Sequence, residues 1–304
     1  MNCDKALKFI DQNKNSLLKD LQTLIHQPSI SAKNEGIKEC SILVSKILKK
    51  SGIKSEILQL GKNAAPLVYG EVKSKNNPNT TLLFYNHYDV QPVEPLDLWV
   101  DPPFSGKIIG NKIFGRGASD DKGELITRIK AVESYLKTYG DVPCNVKFVI
   151  EGEEEYGSEN IERYLKKYKK KFSCDGVVWE FGYVDQKNRP IIGLGMKGLL
   201  YVELTVKESV RDVHSSFAVI IKNPAWRLIQ VLNTMRDKNG KILIKGWYDD
   251  ITPLSKNDIK LIKKAPFDAD GFKKENGVKS FLVTKTLLMQ RKLWYLVSHV
   301  TLQV

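Results

Sequence analysis

Apolar positions in the first fifty residues recur at helical intervals. Leu7, Ile10, Leu17, Leu18, Leu21 and Ile25 predict one amphipathic helix, and Ile37, Ile42, Leu43, Ile47 and Leu48 a second that stops at Gly52. The rhythm then shortens. SEILQL, PLVYGEV and TLLFYNHYDV read as strands, a loop carrying Pro92, Pro95, Pro102 and Pro103 follows, and IIGNKIFG predicts a hairpin turning at Gly110-Asn111. After GRGASDDKG, helical spacing returns at Leu125, Ile129, Val132 and Leu136. CNVKFVIEG is a strand, SENIERYLKKY a helix beginning at Ser158, and CDGVVWE another strand. Strands alternating with helices predict an α/β domain over residues 1–196. Near-continuous apolar strands such as TLLFY and VKFVI suit a sheet buried on both faces.

The texture changes near Gly193. GLLYVELTV alternates, with Leu200, Val202, Leu204 and Val206 on one face of an expected strand. Asn223 as N-cap and Pro224 at the first position open a helix running to Met235, and Ser255 with Asp258 forms a capping-box pattern before another. A second domain is expected over 197–304. From Asn276 on, the last 29 residues contain no acid and keep no clean period.

The 304 residues are 42% hydrophobic and 27% charged, an ordinary globular composition. No apolar run approaches the roughly 18 residues that span a bilayer, and the first residues have no signal core, so a soluble, cytoplasmic protein with no membrane partner is expected. Cys3, Cys40, Cys144 and Cys174 show no CxxC spacing and read as buried thiols in a reducing compartment rather than a thiolate metal site. The net charge of +13 raises the question of nucleic acid, but the basic residues are 40 lysines and only eight arginines. Lysine lacks the planar fork that reads phosphates and bases. The dense run Lys166–Lys171 reads as a solvated helix end, where positive charge suits the dipole.

Against that basic background, Glu151, Glu153, Glu154 and Glu155 crowd the end of an apolar strand. Carboxylates so close need positive partners. Three further segments place chemistry at strand ends or in the loops after them. In YNHYDVQP, His87 and Asp89 share one strand face; taken alone the pair reads either as a satisfied surface histidine or as an imidazole that binds a metal through one nitrogen and donates its other N–H to the carboxylate. In GRGASDDKG, Asp120 and Asp121 precede a helix; one suffices as an N-cap, which leaves one over. In VVWEF, Glu180 ends a strand. Ligand sites in α/β sheets gather beyond the carboxyl ends of the strands. One imidazole with several carboxylates suits zinc, with cobalt or manganese as alternatives, and the supply of oxygens exceeds what a single ion needs, which points to two. Metal ions then answer the crowded glutamates.

HYDVQP, GRGASDDKG, EGEEEYGSEN, WE and DVHSS stand in the order and spacing of the dinuclear zinc peptidases, the family of carnosine-type dipeptidases, glutamate carboxypeptidases, aminoacylases, acetylornithine deacetylase and succinyl-diaminopimelate desuccinylase. The chain resembles that family over about residues 1 to 285, and HYDVQP with NPAWRLIQVLNTM resembles its dipeptidase-like branch. The resemblance implies a mixed β-sheet flanked by helices, with a smaller, incomplete α+β lid that makes a homodimer. It implies that His87 and Glu180 hold one Zn2+, Asp120 bridges both ions, Glu155 binds the second and Asp89 orients His87. Glu154 would act as general base, and His214 would be the lid histidine that steadies the oxyanion, often in the partner's site. Two divalent ions balanced by three carboxylates and a hydroxide make a neutral cluster that can be buried. The implied reaction is hydrolysis of a peptide or N-acyl-amino-acid amide bond.

The family has a further histidine ligand and a substrate-carboxylate clamp beyond the lid, and the matching segments are missing here. His299, in LVSHVTL, lacks that context. The expectation is a C-terminally truncated chain with weakened binding of the second ion and impaired hydrolysis. The alternative is an inactive homologue acting only through lid-mediated association.

Overall fold

The structure is a computed structural model describing residues 3–180, 182–184, 189–191, 201–238, 241–265 and 267–281. The chain separates into two compact units, Met1–Gly182 and Tyr183–Val304. The boundary expected at 196/197 lies outside the described residues, as does His299.

The first unit is built on a mixed five-stranded sheet. Its strands are β1 (Lys54–Leu58), β2 (Leu67–Val72), β3 (Thr81–His87), β6 (Asn145–Glu151) and β7 (Gly176–Val178), in the order β1-β2-β6-β3-β7. The intervening β4 (Lys107–Ile109) and β5 (Lys112–Phe114) form the expected hairpin around Gly110, whose φ of 58° suits the turn. β6 inserts between β2 and β3, running antiparallel to the first and parallel to the second, and β7 is parallel to β3. The carboxyl ends of β3, β6 and β7 therefore share one edge.

Helices cover both faces, as the apolar strands require. On β6, Val146, Phe148 and Ile150 join the core formed with α2 (Lys14–His26), α3 (Ile37–Lys50) and α4 (Lys122–Tyr139), while Val149 turns to the opposite core with Tyr164 and Phe172. These last two belong to α5 (Ile161–Lys167) and α6 (Lys169–Phe172). The period-2 alternation is thus filled with apolar groups on both sides.

Three local expectations change. The first helix is two, α1 (Asp4–Gln12) and α2, because the Asn13 side chain donates to the Phe9 carbonyl (2.8 Å) and competes with helix continuation. The helix expected from Ser158 begins at Ile161, since Ser158 is held in the left-handed region (φ 52°). Of the four cysteines, all free, only Cys40 is buried; Cys144 and Cys174 lie just outside β6 and β7, and Cys3 precedes α1. In the basic run, Lys166 pairs with Glu162, Lys171 with Glu56, and Lys167 lies over the Tyr168 ring, as a solvated helix face does.

In the second unit, α7 (Pro224–Met235) carries its expected Asn223 cap, and α8 (Lys256–Lys264) has both reciprocal bonds of the Ser255/Asp258 capping box. α9 (Ala269–Asn276) follows, and β8 (Tyr183–Val184) pairs with β9 (Pro190–Ile191). The strand expected in GLLYVELTV begins outside the described residues, and its described part, 201–206, is not a strand. A strand needs a neighbour for its N–H and C=O groups, and 201–206 have none among the described residues. No described helix is long and apolar enough to cross a membrane.

Candidate metal centre

His87 is the last residue of β3, with its side chain fully buried. Both ring nitrogens face acceptors. Nε2 donates to Asp120 Oδ1 at 2.9 Å, and Nδ1 donates to the Asp89 carbonyl at 3.1 Å with Asp89 Oδ1 at 3.3 Å. Glu180 Oε2 is 3.4 Å and Glu154 Oε2 3.9 Å from Nε2. Burial alone would keep the imidazole neutral, but the hydrogen bonds to Asp120 and Asp89 and the Asp121 charge outweigh it and push its pKa up to about 12. The same His87 bond lowers Asp120.

The loop entering α4 supplies the two aspartates, which diverge. Asp121 is buried, and its Oδ2 accepts from Asn86 Nδ2 (2.7 Å) and the His87 N–H (2.9 Å), locking the end of β3 to the start of α4. Burial raises its pKa to about 7, against the pull of His87 and these bonds. Asp120, joined to it by a cis peptide, is 75% exposed at its side chain and open to a ligand. Next in sequence, the buried Lys122 donates to the carbonyls of Leu24 and Gln27, capping the end of α2.

Asp89 has a larger part than orienting one imidazole. Its buried carboxylate also accepts the N–H groups of Glu154 (3.2 Å) and Glu155 (3.1 Å), in the short 3-10 turn after β6. Gln91 Nε2 donates to Glu155 Oε2 (2.9 Å) and to its carbonyl (2.8 Å). Burial raises the pKa of Glu155, with the Gln91 bond opposing.

The crowded glutamates divide, which corrects the expectation that metal answers them all. Glu151 accepts from Tyr85 Oη and from Ser158 Oγ (2.9 Å). Glu153 accepts from the Ala65 N–H (2.7 Å) and the Asn160 N–H (3.1 Å), joining the loop before β2 to the start of α5. Their partners are neutral donors, invisible in the sequence because they are distant or local to a turn. Only Glu154 and Glu155 turn toward the imidazole side, held there by Asp89.

Glu180 follows β7. Its Oε2 is buried without a hydrogen-bond donor among the described residues, and burial, reinforced by Glu154, Asp121 and Asp120 and opposed by His87, pushes its pKa up to about 8. An orphaned carboxylate oxygen beside an imidazole nitrogen is donor chemistry that a cation satisfies. Among the described residues, His87, Asp121 and Glu180 bring ligand atoms within 4.8 Å of one another. That triplet contains Asp121 where the sequence points to Asp120. Asp121 Oδ2 already accepts two hydrogen bonds, whereas Asp120 accepts only from the imidazole nitrogen that a metal would take. The one-nitrogen, several-oxygen donor set fits zinc, cobalt or manganese.

Of the expected site residues, the structure gathers His87, Asp89, Asp120, Glu154, Glu155 and Glu180 at one sheet edge. His214 belongs to the second unit, where its Nδ1 accepts from the Ser216 N–H (3.1 Å) and caps a 3-10 turn. Nothing along the chain marks the parts played by Asn86, Gln91, Asp121 and Arg128. Each acts through hydrogen bonds to residues far away in sequence, or through a register the sequence does not display.

A mixed sheet with imidazole and carboxylates collected beyond its parallel strand ends is a layout that can hold divalent metal. Residues 83–264 match Peptidase family M20/M25/M40, and the chain belongs to that family. It is 32% identical to human Beta-Ala-His dipeptidase over 75% of this chain and 46% of the relative, and 31% identical to the Cys-Gly metallodipeptidase dug1 of Schizosaccharomyces pombe over 91% of this chain and 61% of that protein. An M20 family metallo-carboxypeptidase, Sso-CP2, from Sulfolobus solfataricus superposes with a TM-score of 0.82 at 39% identity, covering 91% of this chain and 62% of that one. Human carnosine dipeptidase 1 gives 0.73 at 25%, covering 96% and 64%. The chain thus spans about half to three-fifths of the length of the curated relatives it matches.

Proposed function

We propose that this chain carries the metal-binding residues of a peptidase acting on short peptides, dipeptides of the β-Ala-His or Cys-Gly kind being the first candidates given its relatives. In this reading His87, Asp120 and Glu180 would hold one divalent ion, and Asp120 and Glu155 would hold a second. The observation that carries the reading is the orphaned Glu180 Oε2, 3.4 Å from His87 Nε2, at the edge where Glu154 and Glu155 also arrive.

Divalent ions held there would supply Lewis acidity toward a scissile carbonyl and a water of near-neutral pKa. The chain's own residues do the rest. With an ion bound, Asp89 would hold the proton on His87 Nδ1, and the Nε2 proton that bonds Asp120 in the metal-free chain would give way to the metal. Glu154 is one-third exposed at its side chain and holds no metal in this assignment, so its Oε2 is free to take a proton from the attacking water and return it to the leaving amine. Asp121 makes no step of its own; it holds the β3 end against α4 and keeps His87 and Asp120 in register.

Calorimetric titration of the metal-free chain with Zn2+, Co2+ or Mn2+, run beside hydrolysis of β-Ala-His and Cys-Gly, tests the proposal. Saturable metal binding lost on His87→Ala supports it, together with dipeptide turnover that EDTA abolishes. Metal binding unchanged in that variant would refute it.

A further inference from the structure

Arg128 lies one turn after Glu124 on α4, its side chain only 11% exposed. Its guanidinium meets four acceptors. Nη1 donates to the Tyr85 carbonyl (2.7 Å) and to Asn86 Oδ1 (3.0 Å). Nη2 donates to the Trp179 carbonyl (2.7 Å) and to Glu124 Oε2 (3.1 Å). Two of these partners precede metal-site residues directly: Asn86 comes before His87, and Trp179 before Glu180.

The sheet explains why an arginine is needed here. The β3–β7 ladder ends with the pair Phe84 and Val178. Tyr85 and Trp179 therefore lie past the last residues that β3 and β7 pair, and Glu180 is a step further beyond that ladder. The planar fork takes up both carbonyls at once, tying the continuation of β7 to β3 where the ladder has stopped. The Trp179 ring stacks on Tyr85 (centroids 3.9 Å apart), which closes the same junction from the side-chain direction. Through Asn86 the network reaches Asp121, whose other bond is to the His87 N–H. One guanidinium so connects the strand end carrying His87 with the segment carrying Glu180. A lysine has one nitrogen and no fixed fork, and cannot hold both carbonyls in this geometry.

We propose that Arg128 is a positioning residue that sets the Glu180 carboxylate against His87, so that metal affinity depends on a side chain that does not touch the metal. This rests on the reading of Glu180 as a ligand, and the test keeps the two apart. Zn2+ affinity is measured by calorimetry for the full chain and for Arg128→Gln, Arg128→Lys, Glu180→Gln and the Arg128→Gln/Glu180→Gln double variant, with thermal melting of each metal-free protein alongside. Arg128→Gln should weaken Zn2+ binding about 10–100-fold, the range for a residue that orients a ligand. Arg128→Lys should recover only part of the loss, and the double variant should bind no more weakly than Glu180→Gln alone. Losses that multiply in the double variant would overturn the proposal, as would a lower melting temperature with unchanged affinity. Wild-type affinity in Glu180→Gln would instead remove the ligand assignment, and the proposal with it. If Arg128→Gln does not fold, the same cycle run with Arg128→Lys separates the same outcomes.

Discussion

Asp89 Oδ1 lies 3.3 Å from His87 Nδ1 with neither side chain exposed, and the same carboxylate accepts the backbone N–H groups of Glu154 and Glu155. One buried anion thus joins the end of β3 to the turn after β6. Asp89→Asn keeps the size but loses the charge and one acceptor. It should weaken Zn2+ binding about 10–100-fold and speed hydrogen exchange at the Glu154 and Glu155 amides. Calorimetry and exchange mass spectrometry read the two effects separately; an effect on affinity alone would mean that the turn is held by other contacts.

Glu154→Gln separates proton transfer from metal binding. Glutamine cannot take a proton from water, so dipeptide turnover should fall by a factor of about 100 to 10,000. Zn2+ affinity should stay within about threefold, a margin below 1 kcal/mol, because Glu154 is not assigned as a ligand. A large loss of affinity in this variant would exchange the roles of Glu154 and Glu155.

Gly152, between the two structural glutamates, sits against the buried Tyr88, whose hydroxyl donates to the Pro66 carbonyl (2.7 Å). A Cβ on Gly152 would lie 2.2 Å from Tyr88 Oη. The ring is enclosed and has no room to retreat, so Gly152→Ala should cost about 1–3 kcal/mol in urea denaturation. Tyr88→Phe should recover little of that cost, because the ring carbons Cζ and Cε2 would still lie 2.4 and 2.7 Å from the added Cβ.

Away from the site, Asp20 pairs with Lys130 at 2.6 Å, both buried, and with the more exposed Lys50 at 2.7 Å. Burial would raise the Asp20 pKa, but the two lysines lower it; hydrogen bonds to Asp20 and Glu133 raise that of Lys130 against its own burial. A carboxylate lowered in the folded state stabilises above its unfolded pKa and loses that contribution as pH falls through the folded value. Stability from this pair should therefore fade below about pH 4. The raised lysine works in the opposite sense, contributing fully below about pH 10 and fading above it. Asp20→Asn should cost about 3 kcal/mol at pH 7, because Lys130 is left buried with one partner fewer. Urea midpoints across pH should show the variant with the shallower acid slope.

Much of the local structure is legible along the chain because its causes are local. The turn at Gly110, the Asn223 cap and the Ser255/Asp258 box are short-range hydrogen-bonding or φ preferences. The failures are local too: Asn13 reads as one polar position in a helix, and only its bond back to Phe9 shows the break. The candidate site is visible as residue types at strand ends, since His87, Asp89, Asp120, Glu154, Glu155 and Glu180 each follow an apolar run or a glycine-rich turn. Their division of labour is not. Glu151 and Glu153 look like Glu154 and Glu155 in sequence, and their partners Tyr85 and Ala65 lie 66 and 88 residues away.

The sequence by itself determined most of the helices and strands of the first unit, though neither the break at Asn13 nor the fate of GLLYVELTV, and it determined which segments carry imidazole and carboxylate and which family they resemble, because periodicity, capping and motif order are properties of neighbouring residues. Tertiary structure alone decided that β6 enters between β2 and β3, which aligns three parallel strand ends on one edge. It also decided that Asp89 serves two segments, that Asp121 buttresses while Asp120 stays open, and that Arg128 spans the end of a ladder. Each of these depends on strand register and on burial, which set the distances between charges and remove the water that would otherwise satisfy them.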